Sequence, residues 1–282
     1  MFIRSSMGVK KMMSKNTRYA EIIKTNDFSI IENKVKMINV NTLVIFDVDH
    51  VLLQPRDQLL SRHYIEKFRD FCKKAETRLN TVQILELYTL MLMQRAFEPV
   101  DKRFIQLIND IQKNGVKALA LTQCRTGQWG KISSMEDWRI KDLKHLGYYF
   151  DKSWNNIENK LFDYLPSNCS RIFPAFKQGI VFTGEGFHKG EALKAFVNYT
   201  DLQLEKILFV DDKREYLESV EKFAREASIE FLGIEYTAVE DSKIEPLNKE
   251  RVKLQLDVLE KEYKWLSDEE ADLQINKKSL KN

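Results

Sequence analysis

Short, mostly apolar runs alternate along this chain with longer stretches whose apolar positions recur every three or four residues. The runs cover residues 43–46, 116–121, 180–183, 207–210 and 229–236; each reads as a strand, those at 43–46, 116–121 and 207–210 as buried ones. Helical spacing marks 59–104 through Leu60, Tyr64, Ile65, Phe68 and Phe71, then Ile84, Leu85, Leu87, Tyr88, Leu90 and Met91, until Glu98-Pro99 stops the pattern. It marks 100–113, closed by Asn114-Gly115, and 136–145, closed by Gly147. It marks a further helix opening at Lys189 and another over 214–226. Residues 19–36 carry Ile22, Ile23, Phe28, Ile31 and Val35 with a break at Asn26-Asp27, which predicts two short helices, the second capped by Asp27 or Ser29. Residues 148–178 show no period and read as loop with short pieces. From Pro246 the pattern predicts one charged amphipathic helix whose last dozen residues are loose, and the chain up to Asn16 reads as disordered. No internal repeat is present. Strands alternating with helices predict an α/β fold built on a doubly wound parallel sheet.

Composition narrows the class without naming a function. With 282 residues, 43% hydrophobic and 31% charged, the chain suits one large α/β domain or a core with an insertion. Its 45 basic and 42 acidic residues leave a net +3, too little to argue for nucleic acid. Cys72, Cys124 and Cys169 lie far apart without metal-ligand spacing, which suggests reduced thiols rather than a disulfide framework. No apolar run reaches the roughly 20 residues of a spanning helix, so no membrane span is expected. Residues 1–15 lack a continuous apolar stretch, and Lys10-Lys11 reads as a solvated end. The expected location is cytoplasmic, with signal-independent export left open.

The candidate chemistry sits where the strands end. In a parallel sheet all strand carboxyl ends share one edge, where open α/β sheets bind ligands. The first run ends in Asp47-Val48-Asp49, the second in Thr122, and the fourth in Asp211-Asp212, while Lys189 opens a helix. Each is weak alone: an Asp-x-Asp is often turn chemistry, an acidic pair before a helix can be a cap, and a single lysine is usually on the surface. Together they supply what phosphoryl transfer through a covalent intermediate needs. Asp47 would attack phosphorus, and Asp49 would protonate the leaving oxygen and then activate water. Thr122 would donate to a phosphoryl oxygen, with Gln123 beside it as a substrate contact. Lys189 would hold the same oxygens at a helix start. Asp47 and Asp212 would bind Mg²⁺ among oxygen ligands.

On these motifs the chain resembles the haloacid dehalogenase-like (HAD) superfamily. Asp47-Val48-Asp49-His50-Val51, Leu121-Thr122, His188-Lys189-Gly190-Glu191 and Phe209-Val210-Asp211-Asp212 occur in that superfamily's order, over roughly residues 41–237. Within it the chain looks most like the DUF2608 group, through Phe46-Asp47-Val48-Asp49, Gly179-Ile180-Val181-Phe182-Thr183-Gly184 and Phe209-Val210-Asp211-Asp212-Lys213. The resemblance implies a Rossmann-like core over 41–56 and 105–240 and a helical cap insertion over 57–104. Residues 1–40 would be a tail with lead-in helices, and 241–282 a C-terminal helical tail. It also implies metal ligation by the Asp49 backbone carbonyl and by Asp212, with Asp211 behind them.

The function expected is a Mg²⁺-dependent phosphatase acting on a small phosphorylated metabolite. A phosphotransferase or phosphomutase would keep all four motifs, and a binding or effector protein could keep the fold with little turnover. Hydrolytic dehalogenation needs neither Asp49 nor Asp212. His50 stands where relatives carry small or polar residues, and its ring is expected to turn outward. His188 could reach phosphate, whereas His63 and His145 read as helix surface. Tyr88, Met91, Met93 and Phe97 are candidate pocket residues, although core packing is their commoner use. Arg125 and Lys177 are further candidates for substrate anions, and Cys124 has no evident nucleophilic role. Substrate identity and oligomeric state stay open.

Overall fold

The computed structural model describes residues 20–166 and 172–280. The expectations for the first 16 residues and for Cys169 therefore lie outside the described residues. In chain order the elements are β1 (Ala20–Thr25), α1 (Phe28–Lys36), β2 (Thr42–Phe46), β3 (Leu53–Pro55), α2 (Ile65–Ala75), α3 (Thr81–Gln94), β4 (Phe97–Pro99), α4 (Arg103–Lys113), β5 (Lys117–Thr122) and α5 (Met135–His145). They continue with β6 (Lys160–Leu161), β7 (Ala175–Lys177), β8 (Ile180–Phe182), α6 (Lys189–Thr200), β9 (Lys206–Asp211), α7 (Arg214–Glu226), β10 (Glu230–Tyr236), α8 (Lys249–Glu262) and α9 (Asp268–Ser279).

The main sheet has the order β1-β10-β9-β2-β5-β8-β7-β6. Strands β1 to β8 in that order pair in parallel, and β7 and β6 close one edge antiparallel. The apolar runs alternate faces as a pleat requires. Val44, Phe46, Ala118, Ala120, Leu208 and Val210 join one buried cluster with residues of α1, α4 and α5. Leu43, Ile45, Leu119, Leu121, Ile207 and Phe209 join another with α6 and α7. Helices thus cover both faces, which is why the central strands carry no polar side.

Three expectations need correction. The first predicted helix is the edge strand β1, which pairs with β10 from Ala20↔Phe231 to Thr25↔Tyr236. Its adjacent Ile22 and Ile23 suit the half-buried edge of a sheet, and pairing there satisfies one side of the backbone that a short helix would leave frayed. Only α1 is helical, with the Asp27 carboxylate accepting from the Ser29 backbone N–H at 2.8 Å. The stretch read as loop contributes β6 and β7, so the sheet is mostly rather than wholly parallel. The tail is two helices rather than one loosening helix. Tyr263 adopts a left-handed φ of 55° that ends α8, and a capping box of Ser267 and Glu270 starts α9.

Between β2 and α4 the chain leaves the sheet. β3 and β4 form an antiparallel ribbon, and α2 and α3 lie between them, the latter opened by an Asn80–Gln83 capping box. The tail packs on this insertion. Trp265, 3% exposed, stacks edge-on against Phe68 at 6.2 Å and donates its indole N–H to Asp57 at 2.8 Å. Helices α6 and α7 approach so closely at Gly190 that a β-carbon there would fall 2.2 Å from the Ser219 carbonyl oxygen. Among the described residues no helix is long and apolar enough to cross a membrane.

Candidate functional site

Register brings the strand-end residues together. Phe46 pairs with Ala120 on one side and Val210 on the other, so Asp47 emerges level with the ends of β5 and β9. Its backbone N–H donates to the Val210 carbonyl at 2.9 Å. Lys189, expected to be on the surface if it stood alone, is fully buried. Its ammonium lies 2.6 Å from an Asp47 oxygen and 2.7 Å from an Asp211 oxygen. Burial would lower this lysine, but the two carboxylates outweigh it and raise it, so the ammonium stays charged. Asp47 is pushed up to about 6 by burial and by the Asp212 and Asp49 charges, against the pull of Lys189.

Asp47, Asp211 and Asp212 each bring a carboxylate oxygen within 4.8 Å of the others. Carboxylate oxygens so placed could hold a metal ion, and hard oxygen donors suit a hard cation. The two oxygens of Asp211 are already engaged, by Lys189 and by the Lys213 backbone N–H at 2.8 Å. Burial and the Asp47 charge raise it well above the usual carboxylate range. Asp212 pairs with Arg62 from the insertion and lies 3.6 Å from His50 Nδ1. Burial opposes these contacts, yet His50, Arg62 and Lys189 together hold its carboxyl low. The His50 ring therefore turns inward, contrary to expectation, from a backbone at φ 66°.

Thr122 is buried, and its hydroxyl oxygen has no hydrogen-bond partner. Gln123 is exposed at the rim, its amide 3.5 Å from the Phe187 carbonyl. Asp49 reaches the other side of the cleft and pairs with Arg139 at 3.0 Å. Burial would raise Asp49, but Arg139, Arg95 and His50 hold it below the usual carboxylate range. The Cys124 thiol, pushed up to about 12 by burial, stays protonated.

A cleft of about 680 Å³ lies between the sheet edge and the insertion, with Lys189, Thr122 and Asp211 buried behind its lining. Asp47, Asp49, Gln123 and Asp212 open into it together with Tyr88, Trp129 and Arg62. Arg125 also faces it, paired with Glu185 at 3.1 Å and stacked on Trp129 at 4.9 Å. Lys177 does not face it: it pairs with Asp137 at 2.7 Å and borders a separate groove. His188 is exposed and starts α6, while His63 lies within 3.2 Å of the Val239 carbonyl. His145 is exposed on α5. Met91 is core and Met93 is exposed.

Three arginines escaped the reading from periodicity: Arg62, Arg95 and Arg139. Only Arg139 carried a signal. It stands four residues after Met135 and four before Leu143 on the apolar face of α5, where a charged residue needs a partner.

The fold and site define an α/β protein whose mostly parallel sheet presents buried carboxylates and an ammonium at its carboxyl edge. The chain belongs to the family described as "Protein of unknown function (DUF2608)", whose model matches residues 24–272. It is 26% identical to "Uncharacterized protein RP296" of Rickettsia prowazekii, across 92% of this chain and 93% of that one. It is 22% identical to a protein of Chlamydia trachomatis named "Putative outer membrane protein", across 70% of each. A similarly named protein of Chlamydia pneumoniae is also 22% identical, across 79% of this chain and 78% of that one. No solved structure gives a significant match.

Proposed function

We propose that the protein is a HAD-type phosphatase that hydrolyses a small phosphomonoester through an aspartyl-phosphate on Asp47. The observation that carries this reading is the contact of a fully buried Lys189 ammonium with Asp47 at 2.6 Å, beside the carboxylates of Asp211 and Asp212. A buried cation held among carboxylates at a strand end is costly as mere structure, and it suits a site that receives a phosphoryl group.

An Asp47 oxygen forms a bond to phosphorus as the bond to the leaving oxygen breaks, and Asp49 gives that oxygen its proton. Asp49 then takes a proton from water, whose oxygen attacks phosphorus and frees Asp47 and phosphate. Arg139 must loosen from Asp49 before the first transfer, since the pair keeps that carboxyl ionised. Thr122 and Lys189 donate to the phosphoryl oxygens, and Gln123 orients the substrate at the rim. Bound Mg²⁺ would neutralise repulsion between anionic nucleophile and anionic substrate. Asp47, Asp212 and the Asp49 backbone carbonyl would hold it, with Asp211 steadying Lys189 from behind.

Purified protein with Mg²⁺ is expected to hydrolyse p-nitrophenyl phosphate, and Asp47→Asn to abolish this. Turnover that survives the substitution sinks the assignment of the nucleophile, and turnover unaffected by a chelator sinks the role of the metal. Transfer of phosphate to an added alcohol in place of water would mark a phosphotransferase. The reading places the enzyme in the cytoplasm, where Cys72 and Cys124, both free thiols, stay reduced. The printed names of the chlamydial relatives make the outer-membrane fraction the control in a cell fractionation.

A further inference from the structure

We propose that the guanidinium groups of Arg95 and Arg139 form a second oxyanion subsite in the cleft, so that the phosphomonoester it takes carries a further carboxylate or phosphate on its leaving group. The part of this that concerns a leaving group rests on the phosphatase reading; the subsite itself does not.

Arg139 is only 4% exposed and lines the cleft. Its Nη2 donates to Asp49 at 3.0 Å and the guanidinium also lies beside the Cys124 thiol, a weak acceptor, while its Nε and Nη1 are buried with no oxygen accepting from them. Arg95, the residue that ends α3, lines the same cleft. Its Nε is likewise buried without a partner, and among the described residues its guanidinium makes no ion pair. Both groups rest on the same two rings. Arg95 lies 4.4 Å from the centre of Phe97 and 5.7 Å from that of Trp138; Arg139 lies 5.6 Å and 4.6 Å from them.

Two like charges are thereby held side by side on an aromatic floor, against burial and mutual repulsion that push Arg95 down to about 10. The nearby acids are Asp49, which Arg139 already engages, and Asp142, which burial raises to about 6 and whose Oδ2 is itself unpartnered. Buried N–H donors without acceptors cost free energy, and such groups are normally satisfied. An oxyanion between the two forks would satisfy them, since a planar guanidinium matches carboxylate or phosphate with two parallel hydrogen bonds. The other cleft arginines are differently placed: Arg62 is committed to Asp212, Arg69 to Glu66 and Arg125 to Glu185.

Position decides which part of a substrate meets this pair. Arg139 touches Asp49, the residue proposed to serve the leaving oxygen, and not Asp47 or Lys189. The subsite therefore faces the departing group rather than the transferred phosphoryl.

The test uses full-length protein with Mg²⁺ and two matched substrate pairs: glycerol 3-phosphate with 3-phosphoglycerate, and fructose 6-phosphate with fructose 1,6-bisphosphate. The expected result is kcat/KM about tenfold or more higher for the member with the second anionic group in at least one pair, and a ratio that falls towards one in Arg95→Met. The pair that responds tells carboxylate from phosphate. Turnover with equal values within both pairs, or a preference untouched by Arg95→Met, overturns the subsite and leaves the phosphatase standing. If none of the four is turned over, each is titrated onto wild-type protein and Arg95→Met by calorimetry. Tighter binding of a member with the second anionic group that depends on Arg95 upholds the subsite while the phosphatase reading falls, and equal binding overturns it.

Discussion

The indole N–H of Trp265 donates to the buried carboxylate of Asp57 at 2.8 Å, and the other oxygen of that carboxylate accepts from the Asp268 backbone N–H at 3.0 Å. One aspartate at the foot of the insertion thus holds both the turn between α8 and α9 and the start of α9. Trp265→Ala should cost ~3–5 kcal/mol, the usual loss for a large buried aromatic. Urea denaturation followed by circular dichroism checks this, and a loss below about 1 kcal/mol would show the tail to be an ornament on the fold.

The unpartnered hydroxyl of Thr122 predicts that stability and activity part company. Thr122→Val keeps the shape of the side chain and removes a buried oxygen that lacks a hydrogen bond. Unfolding free energy should stay level or rise by ~1 kcal/mol. Turnover of p-nitrophenyl phosphate should drop by roughly 10²–10³, the usual effect of losing one oxyanion donor. A variant that loses stability and keeps its rate would contradict both halves.

Asp142 ties stability to pH. Its carboxyl is raised to about 6 by burial, despite Arg139 and Arg95, from an ordinary value of 3.8. A raised folded-state value means that the folded protein holds the proton more tightly than the unfolded chain does. Its stabilising contribution is therefore complete below pH 3.8 and is lost as pH rises through about 6. Asp142→Asn cannot titrate, so the difference in urea midpoint between variant and wild type should change across that window and be flat above pH 7. A constant difference from pH 4 to 7 would refute the linkage.

How much of this was legible in the sequence depends on what each residue answers to. Leu43, Val44, Ile45 and Phe46 are buried on both faces, so their apolar run announced a central strand directly. Asp47, Thr122 and Asp211 could be grouped because parallel strands must end on one edge, and Lys189 joined them through the order of the motifs along the chain. β1 was misread because Ile22 and Ile23 sit on a half-buried edge, where spacing says little and the partner β10 lies some two hundred residues away in the chain. The two residues of β6 and three of β7 are too few to show a period. Arg95 was missed because its significance lies in a floor of Phe97 and Trp138 shared with Arg139, which only the folded chain assembles, whereas Arg139 could have been noticed as a charge on the apolar face of α5. Trp265 looked like one more residue of a single tail helix because nothing in its neighbours reveals Asp57.

The close passage of α6 over α7 at Gly190 has a mechanical consequence. The Ser219 hydroxyl accepts from the Gly190 backbone N–H at 3.0 Å, which ties the backbone carrying Lys189 directly to the helix that follows Asp211 and Asp212. Whatever adjusts when a guest arrives must lie in the ribbon of β3 and β4 and the helices beyond it. The chemistry is thereby bolted to the sheet, and adaptation to different guests is left to the roof.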